Sequence, residues 1–193
     1  MRDTISVIIA GVGGQGTVLA SKVLSLAALK AGLDVKQSEI HGMSQRGGSV
    51  VSHVRFGEKV YSPLVTLGSA DFVVAFEELE ALRCIPYLQK KGVCIVNKQR
   101  MLPMPVITGA AQYPIEPVED MTGQGLRTIA VDASGIGTEK GDARAANIVL
   151  LGVLSKAIDL PEAAWYDAIK ECLRPNYLAM NLEAFAAGQE AGR

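Results

Sequence analysis

The sequence is short of cysteine, has no excess of either charge and contains no long apolar run, and each shortage closes off a class of protein. Its 3 cysteines, Cys84, Cys94 and Cys172, are odd in number and far apart. None belongs to a Cys-x-x-Cys pair and no histidine stands at ligand spacing. This argues against a disulfide framework, a zinc site and an iron–sulfur cluster, and the cysteines read as buried free thiols. The 19 basic and 20 acidic residues give a net charge of -1, without the basic excess of a nucleic-acid binder. The longest apolar run, Ala145 to Leu154, contains Asn147 and falls well short of the roughly 20 residues that span a bilayer. No Ser/His/Asp or Cys/His arrangement stands out for nucleophilic catalysis.

What is present points to one compact unit. A chain of 193 residues with 49% hydrophobic content can bury one good core, so residues 1–193 are expected to form a single domain. The mean hydropathy of +0.23 with 20% charged residues fits either a compact alanine-rich fold or apolar surface covered by another subunit, including a second copy in the isolated protein. An acidic residue interrupts the Met1-Arg2-Asp3-Thr4 start, which disfavours a signal peptide, and a cytoplasmic location is expected.

Along the chain, Ile5 to Ala10 reads as a strand buried on both faces, Gly14 to about Ala31 as a helix stopped by Gly32, and Asp34 to Ile40 as a second strand. A polar loop follows. Ser49 to Phe56 alternates with period two, and the pattern runs past Gly57-Glu58-Lys59 into Val60-Tyr61, which predicts a β-hairpin inserted after strand two. Asp71 to Phe76 is a further strand, then comes a helix from Glu77 to about Leu88 and a strand from Val93 to Asn97. Residues 98 to 127 carry four prolines and predict irregular chain with one short helix near Glu116. Thr128 to Asp132 is the last strand. Helices are predicted at about Arg144–Ile158, Pro161–Leu173 and Leu178–Gly188, and around Tyr177, Asn181 and Phe185 this region either packs on a partner or caps the sheet, with capping preferred. The fold class is therefore α/β: a Rossmann-like, mostly parallel sheet with helices on both faces and a helical C-terminal third, binding ligands beyond the carboxyl ends of its strands.

Gly11-Val12-Gly13-Gly14-Gln15-Gly16 matches Gly-x-Gly-x-x-Gly in the required place, after a strand and opening a helix. In that pattern Gly11 serves the tight turn, Gly13 the approach of backbone to ligand and Gly16 helix–strand packing. Amides at the helix start favour a phosphate or carboxylate. A dinucleotide site also wants a carboxylate about 20 residues on, at the end of strand two. Glu39 stands nearby, but it leads into Ser38-Glu39-Ile40-His41-Gly42-Met43-Ser44-Gln45-Arg46-Gly47-Gly48-Ser49 rather than into a helix. Here Arg46 can fork onto a carboxylate or phosphate, or simply pair with Glu39 or solvent. His41 beside glycine is balanced between a structural and a functional role, and His53 reads as a half-buried strand histidine. Gly141-Asp142-Ala143 has alanine where a thiamine diphosphate motif would have its second glycine, and no metal ligand is assigned there.

Together, Gly11 to Gly16, the run from Ser38 to Gly48, the strand through His53-Val54-Arg55 and the segment Asn147 to Gly152 resemble the gamma-type subunit of the 2-oxoacid:ferredoxin oxidoreductases over nearly the whole chain. Within that family the loop wording is most similar to the indolepyruvate-oxidising members. The resemblance implies a subunit that is inactive alone. Thiamine diphosphate and iron–sulfur clusters would lie on a larger alpha subunit, coenzyme A would be cosubstrate and ferredoxin would receive electrons through the complex. It also implies a shared active site, with His41, Ser44, Gln45 and Arg46 as polar contacts and Gly11, Gly13, Gly14, Gln15 and Gly16 facing the cofactor or an anionic group. Two alternatives stand beside it: a subunit acting on pyruvate, branched-chain oxoacids or 2-oxoglutarate, and a stand-alone nucleotide-binding or interaction module.

Overall fold

The computed structural model describes residues 4–42 and 47–192. Its strands are β1 (Ile5–Val12), β2 (Asp34–His41), β3 (Ser49–Gly57), β4 (Ala70–Ala75), β5 (Leu88–Asn97) and β6 (Arg127–Val131). The helices are α1 (Thr17–Lys30), α2 (Glu78–Cys84), α3 (Met104–Ile107), α4 (Pro117–Gly123), α5 (Ala133–Glu139), α6 (Ala146–Ser155), α7 (Glu162–Cys172) and α8 (Pro175–Ala191). The six strands form one sheet in the order β2-β3-β1-β4-β5-β6. The pairs from β1 to β6 are parallel, whereas β3 runs antiparallel to both of its neighbours. The mostly parallel α/β sheet expected from the alternating strands and helices is what forms.

The predicted hairpin needs correcting in its pairing. β3 fills both of its edges with β1 and β2, Ser52 lying opposite Ile9 on one side and Glu39 on the other, so no edge is left for Val60-Tyr61. That segment peels away instead. Val60 N donates to the Asp34 carboxylate at 2.9 Å, and Arg55 donates to the Ser62 carbonyl at 3.0 Å, which leads the chain toward β4. The antiparallel pair that exists joins β2 to β3.

Alternation along each strand splits the core into two layers. Val7, Ile9, Val54, Val74 and Ile95 face α1, α6, α7 and α8 and pack with Leu24, Leu150, Trp165 and Phe185. Ile8, Ala10, Val73, Cys94 and Val96 face α2 and α4 and pack with Cys84 and Met121. Phe185 and Asn181 are both buried and Tyr177 is exposed, and α8 packs chiefly on α6 rather than directly on the sheet. It can approach α6 closely because Gly152 and Gly188 put backbone against backbone at the crossing. α1 carries polar residues on its buried face, and β2 answers them: Gln37 donates to Ser21 Oγ and accepts from Ser25 Oγ, both at 2.8 Å. His53 is more buried than expected, at 2% exposure. Its Nδ1 accepts from Val65 N at 3.1 Å and burial lowers its pKa, so the ring is held neutral.

Local chemistry accounts for the other differences. Helix α2 stops at Cys84 rather than near Leu88, because Pro86 has no amide to continue it and the chain passes through a 3-10 turn at Ile85–Tyr87. Helix α5 was not expected, since Gly135 and Gly137 weaken its helical signal. The Asp132 carboxylate starts it by accepting from Gly135 N at 2.8 Å. Among the described residues, no helix is long and apolar enough to cross a membrane.

Candidate functional site

The glycine turn sits where β1 ends, at the carboxyl ends of the parallel strands, but its glycines divide the work differently from the motif. Gly11 lies within β1, and a side chain there would press on Thr17 and Gln15. The left-handed backbone falls at Gly14 (φ 106°) and Gly16 (φ 88°), conformations that side chains rarely tolerate. Gly16 also permits close approach to α6, because a Cβ there would run into the Asn147 amide. Gly13 N donates to the Gly48 carbonyl at 2.8 Å, which ties the turn to the base of the polar loop.

α1 opens with donors facing outward. Its first intrahelical hydrogen bond is donated by Ala20 N to Gly16 O at 3.0 Å, so the amides of Thr17, Val18 and Leu19 precede the ladder. No side chain caps this end and no acidic residue lies in its first turn. The partial positive charge is therefore free to attract an anion.

Two clefts of about 390 Å³ each flank the turn. The first, on the β2–β3 side, is lined by Gly13, Gly14, Gly16, Thr17, Glu39 and His41. A dinucleotide would need the carboxylate of the strand beside β1, yet that strand is β3, which offers Ser49 and Val50 at the level of Val12 and Gly11. Glu39 stands a further strand away, about 10 Å from β1 rather than about 5 Å. The inserted strand displaces the ribose-binding group of an ordinary NAD site.

The second cleft lies on the β4–β6 side and is lined by Gly13, Gly14, Gln15, Asn97, Gln99, Met101, Ser134 and Arg144. Gln15 folds back across its floor, accepting from Val12 N at 2.7 Å and donating to the Phe76 carbonyl at 3.1 Å. Asn97, only 1% exposed, closes β5 and holds the start of α5 by accepting from Ala133 N at 2.9 Å. Arg144 forks onto Asp142, donating from Nε at 2.8 Å and from Nη2 at 2.6 Å, and this pairing depresses the Asp142 pKa.

The expected residues therefore separate. Gly13, Gly14 and Gln15 line a cleft, Gly11 is structural, and Gly16 borders the first cleft while packing on α6. His41 is exposed at the end of β2, lining the first cleft with Glu39. Ser44, Gln45 and Arg46 lie outside the described residues. Asn97, Gln99, Ser134 and Arg144 were missed. A buried asparagine ending a strand at the ligand-binding end of the sheet was a usable signal for Asn97; Gln99 offered none.

The sheet, the glycine turn and the clefts at its carboxyl end define an α/β chain with a ligand-binding end, and sequence comparison gives its family. It belongs to the pyruvate ferredoxin/flavodoxin oxidoreductase family, whose pattern matches residues 6–191. It is 40% identical to the indolepyruvate oxidoreductase subunit IorB of Thermococcus kodakarensis, over 97% of this chain and 96% of that one. The corresponding subunit of Pyrococcus horikoshii is 39% identical with the same coverage. Among solved structures, 2-oxoglutarate:ferredoxin oxidoreductase from Magnetococcus marinus superposes on the whole of this chain and 31% of its own, with a TM-score of 0.77 and 21% identity.

Enzymes of this family use thiamine diphosphate and iron–sulfur clusters, and the described residues of this chain fit neither group. Burial pushes the thiols of Cys84 and Cys94 up to about 12, so neither readily supplies the thiolate a cluster needs. Among the described residues no group of three or more His, Cys, Asp or Glu could hold a metal ion. Asp142, the acidic residue of the Gly-Asp-Ala segment, is committed to Arg144 and to the Arg144 amide.

Proposed function

We propose that this chain is the subunit without thiamine diphosphate or clusters of an indolepyruvate:ferredoxin oxidoreductase, working as one gamma-type unit over residues 1–193. The complex converts an arylpyruvate, coenzyme A and oxidised ferredoxin into an aryl-acetyl-coenzyme A, carbon dioxide and reduced ferredoxin. Decarboxylation and electron transfer depend on the groups of a larger alpha subunit, and ferredoxin is reached through the complex in the cytoplasm. The near full-length identity to subunits named for indolepyruvate carries this reading.

In this account the glycine turn and the polar loop form one wall of a shared active site. The uncapped start of α1 receives an anionic group of coenzyme A or substrate. Arg46 makes a forked contact to such a group, and His41, Ser44 and Gln45 add polar contacts as the loop excludes water. The displaced Glu39 disfavours the stand-alone nucleotide-binding alternative.

The test is arylpyruvate-dependent reduction of a dye by each subunit separately and by both together, with pyruvate and 2-oxoglutarate as competing substrates. The expected result is no turnover by either subunit alone and the highest kcat/KM of the complex for indolepyruvate. Turnover by this chain alone, or preference for another oxoacid, contradicts the proposal.

A further inference from the structure

The backbone fixes the polarity of the cleft between the glycine turn and β6. A backbone amide only donates and a carbonyl only accepts, so Val12 N on Gln15 Oε1 and Gln15 Nε2 on the Phe76 carbonyl leave the Gln15 amide one orientation. Its Nε2 then donates to Gln99 Oε1 at 3.0 Å. Asn97 is anchored the same way. Its Oδ1 accepts from Ala133 N, and its Nδ2 donates to the Phe76 carbonyl and, at 3.2 Å, to Gln99 Oε1. Ser134 Oγ adds a longer contact of 3.4 Å to the same oxygen.

With these donors converging on its oxygen, Gln99 cannot turn over without setting its own NH2 against those of Gln15 and Asn97. Its Nε2 engages no acceptor among the described residues and is the polar end left for the cleft that Gln99 lines. Arg144 stands on the wall of the same cleft. Asp142 holds Nε and Nη2 of that arginine, and Nη1 makes no hydrogen bond among the described residues, so an oriented amide donor beside a guanidinium N–H suits an anionic oxygen.

We propose that Gln99 is a binding residue that donates to an anionic oxygen, carboxylate or phosphate, and that Gln15 and Asn97 are positioning residues that aim it. The choice of these substrates rests on the functional reading above; the donor polarity of the cleft does not. The carboxylate would come from the 2-oxoacid and the phosphate from coenzyme A.

The experiment uses the assembled complex carrying Q99E, which keeps an oxygen for the converging donors but replaces the NH2 with a second, negative oxygen. The KM for one of the two substrates should rise roughly 10- to 100-fold, with kcat changed less than about 3-fold. A rise for coenzyme A identifies phosphate; a rise for arylpyruvate identifies carboxylate. Q99M, which removes the donor without adding charge, should move the same constant by less. N97D, which turns the aiming donor into an acceptor, should raise the same KM with a similarly small effect on kcat. Calorimetry of coenzyme A and arylpyruvate binding to the complex reads the same preference without turnover, and thermal melts of each variant check folding. Both KM values and both affinities within about 2-fold of wild type in Q99E and Q99M would overturn the proposal. A wild-type complex that fails to oxidise arylpyruvate defeats the functional reading instead, and the calorimetric arm then decides the role of Gln99.

Discussion

Replacing Gly188 with alanine should lower the melting temperature by roughly 6–12 °C, the equivalent of about 3 kcal/mol for a chain of this size. The reason is the crossing of α6 and α8. A Cβ on Gly188 would fall on the Val149 carbonyl and come within 3.1 Å of the Gly152 Cα, so backbone rather than a flexible side chain would have to move. Moving α8 opens the layer in which Phe185 packs with Trp165 and Tyr166 at centroid distances of 5.9 and 5.5 Å. An unchanged melting curve for G188A would mean that the two helices do not cross this closely.

The second large effect is expected at Glu77, a carboxylate with 1% exposure at the end of β4. One oxygen caps α2 by accepting from Glu80 N at 2.9 Å, and the other accepts from Met101 N at 3.1 Å and from the Tyr113 hydroxyl. Burial, then the bond to Glu77, raises the Tyr113 pKa, so the phenol keeps the proton it donates. Arg100 completes the pin by pairing with Glu78 at 2.7 Å and stacking 5.8 Å from the Tyr113 ring centre. Glu77→Ala leaves two backbone amides and a hydroxyl without their acceptor, at a cost of about 3 kcal/mol. The connection between β5 and α4 should loosen first, and faster limited proteolysis between residues 98 and 116 measures it. Because Met101 lines the second cleft, the KM of the assembled complex should rise as well. Wild-type proteolysis and stability in E77A would show that the pin is not what holds this segment.

Much of the fold was legible because its signals are local. The β1–glycine turn–α1 unit follows from a short β-branched run, two glycines that take positive φ and a helical stripe. The existence of β3 was legible from its alternation, but its partners were not. Pairing depends on which edges are vacant, and β3 slots between β1 and β2 instead of folding back on Val60-Tyr61. The same limit governs the site. A glycine turn announces itself within six residues, whereas the Gln15–Gln99 contact joins positions 84 apart and exists only when the carboxyl ends of β1 and β5 are brought level. Glu39 was visible as a carboxylate near the right place, but its displacement by one strand could only be read from the sheet order.

If the glycine-turn face is a wall of an active site completed by another subunit, assembly should cover it. Amide hydrogen exchange of this chain, free and in the assembled complex with coenzyme A and arylpyruvate, tests this most directly. The amides of Gly14 and of Thr17 to Leu19 should slow by about 10-fold or more on assembly and ligand binding. Unchanged exchange at these amides, with protection confined to the 58–69 connection at the opposite end of the sheet, would contradict this.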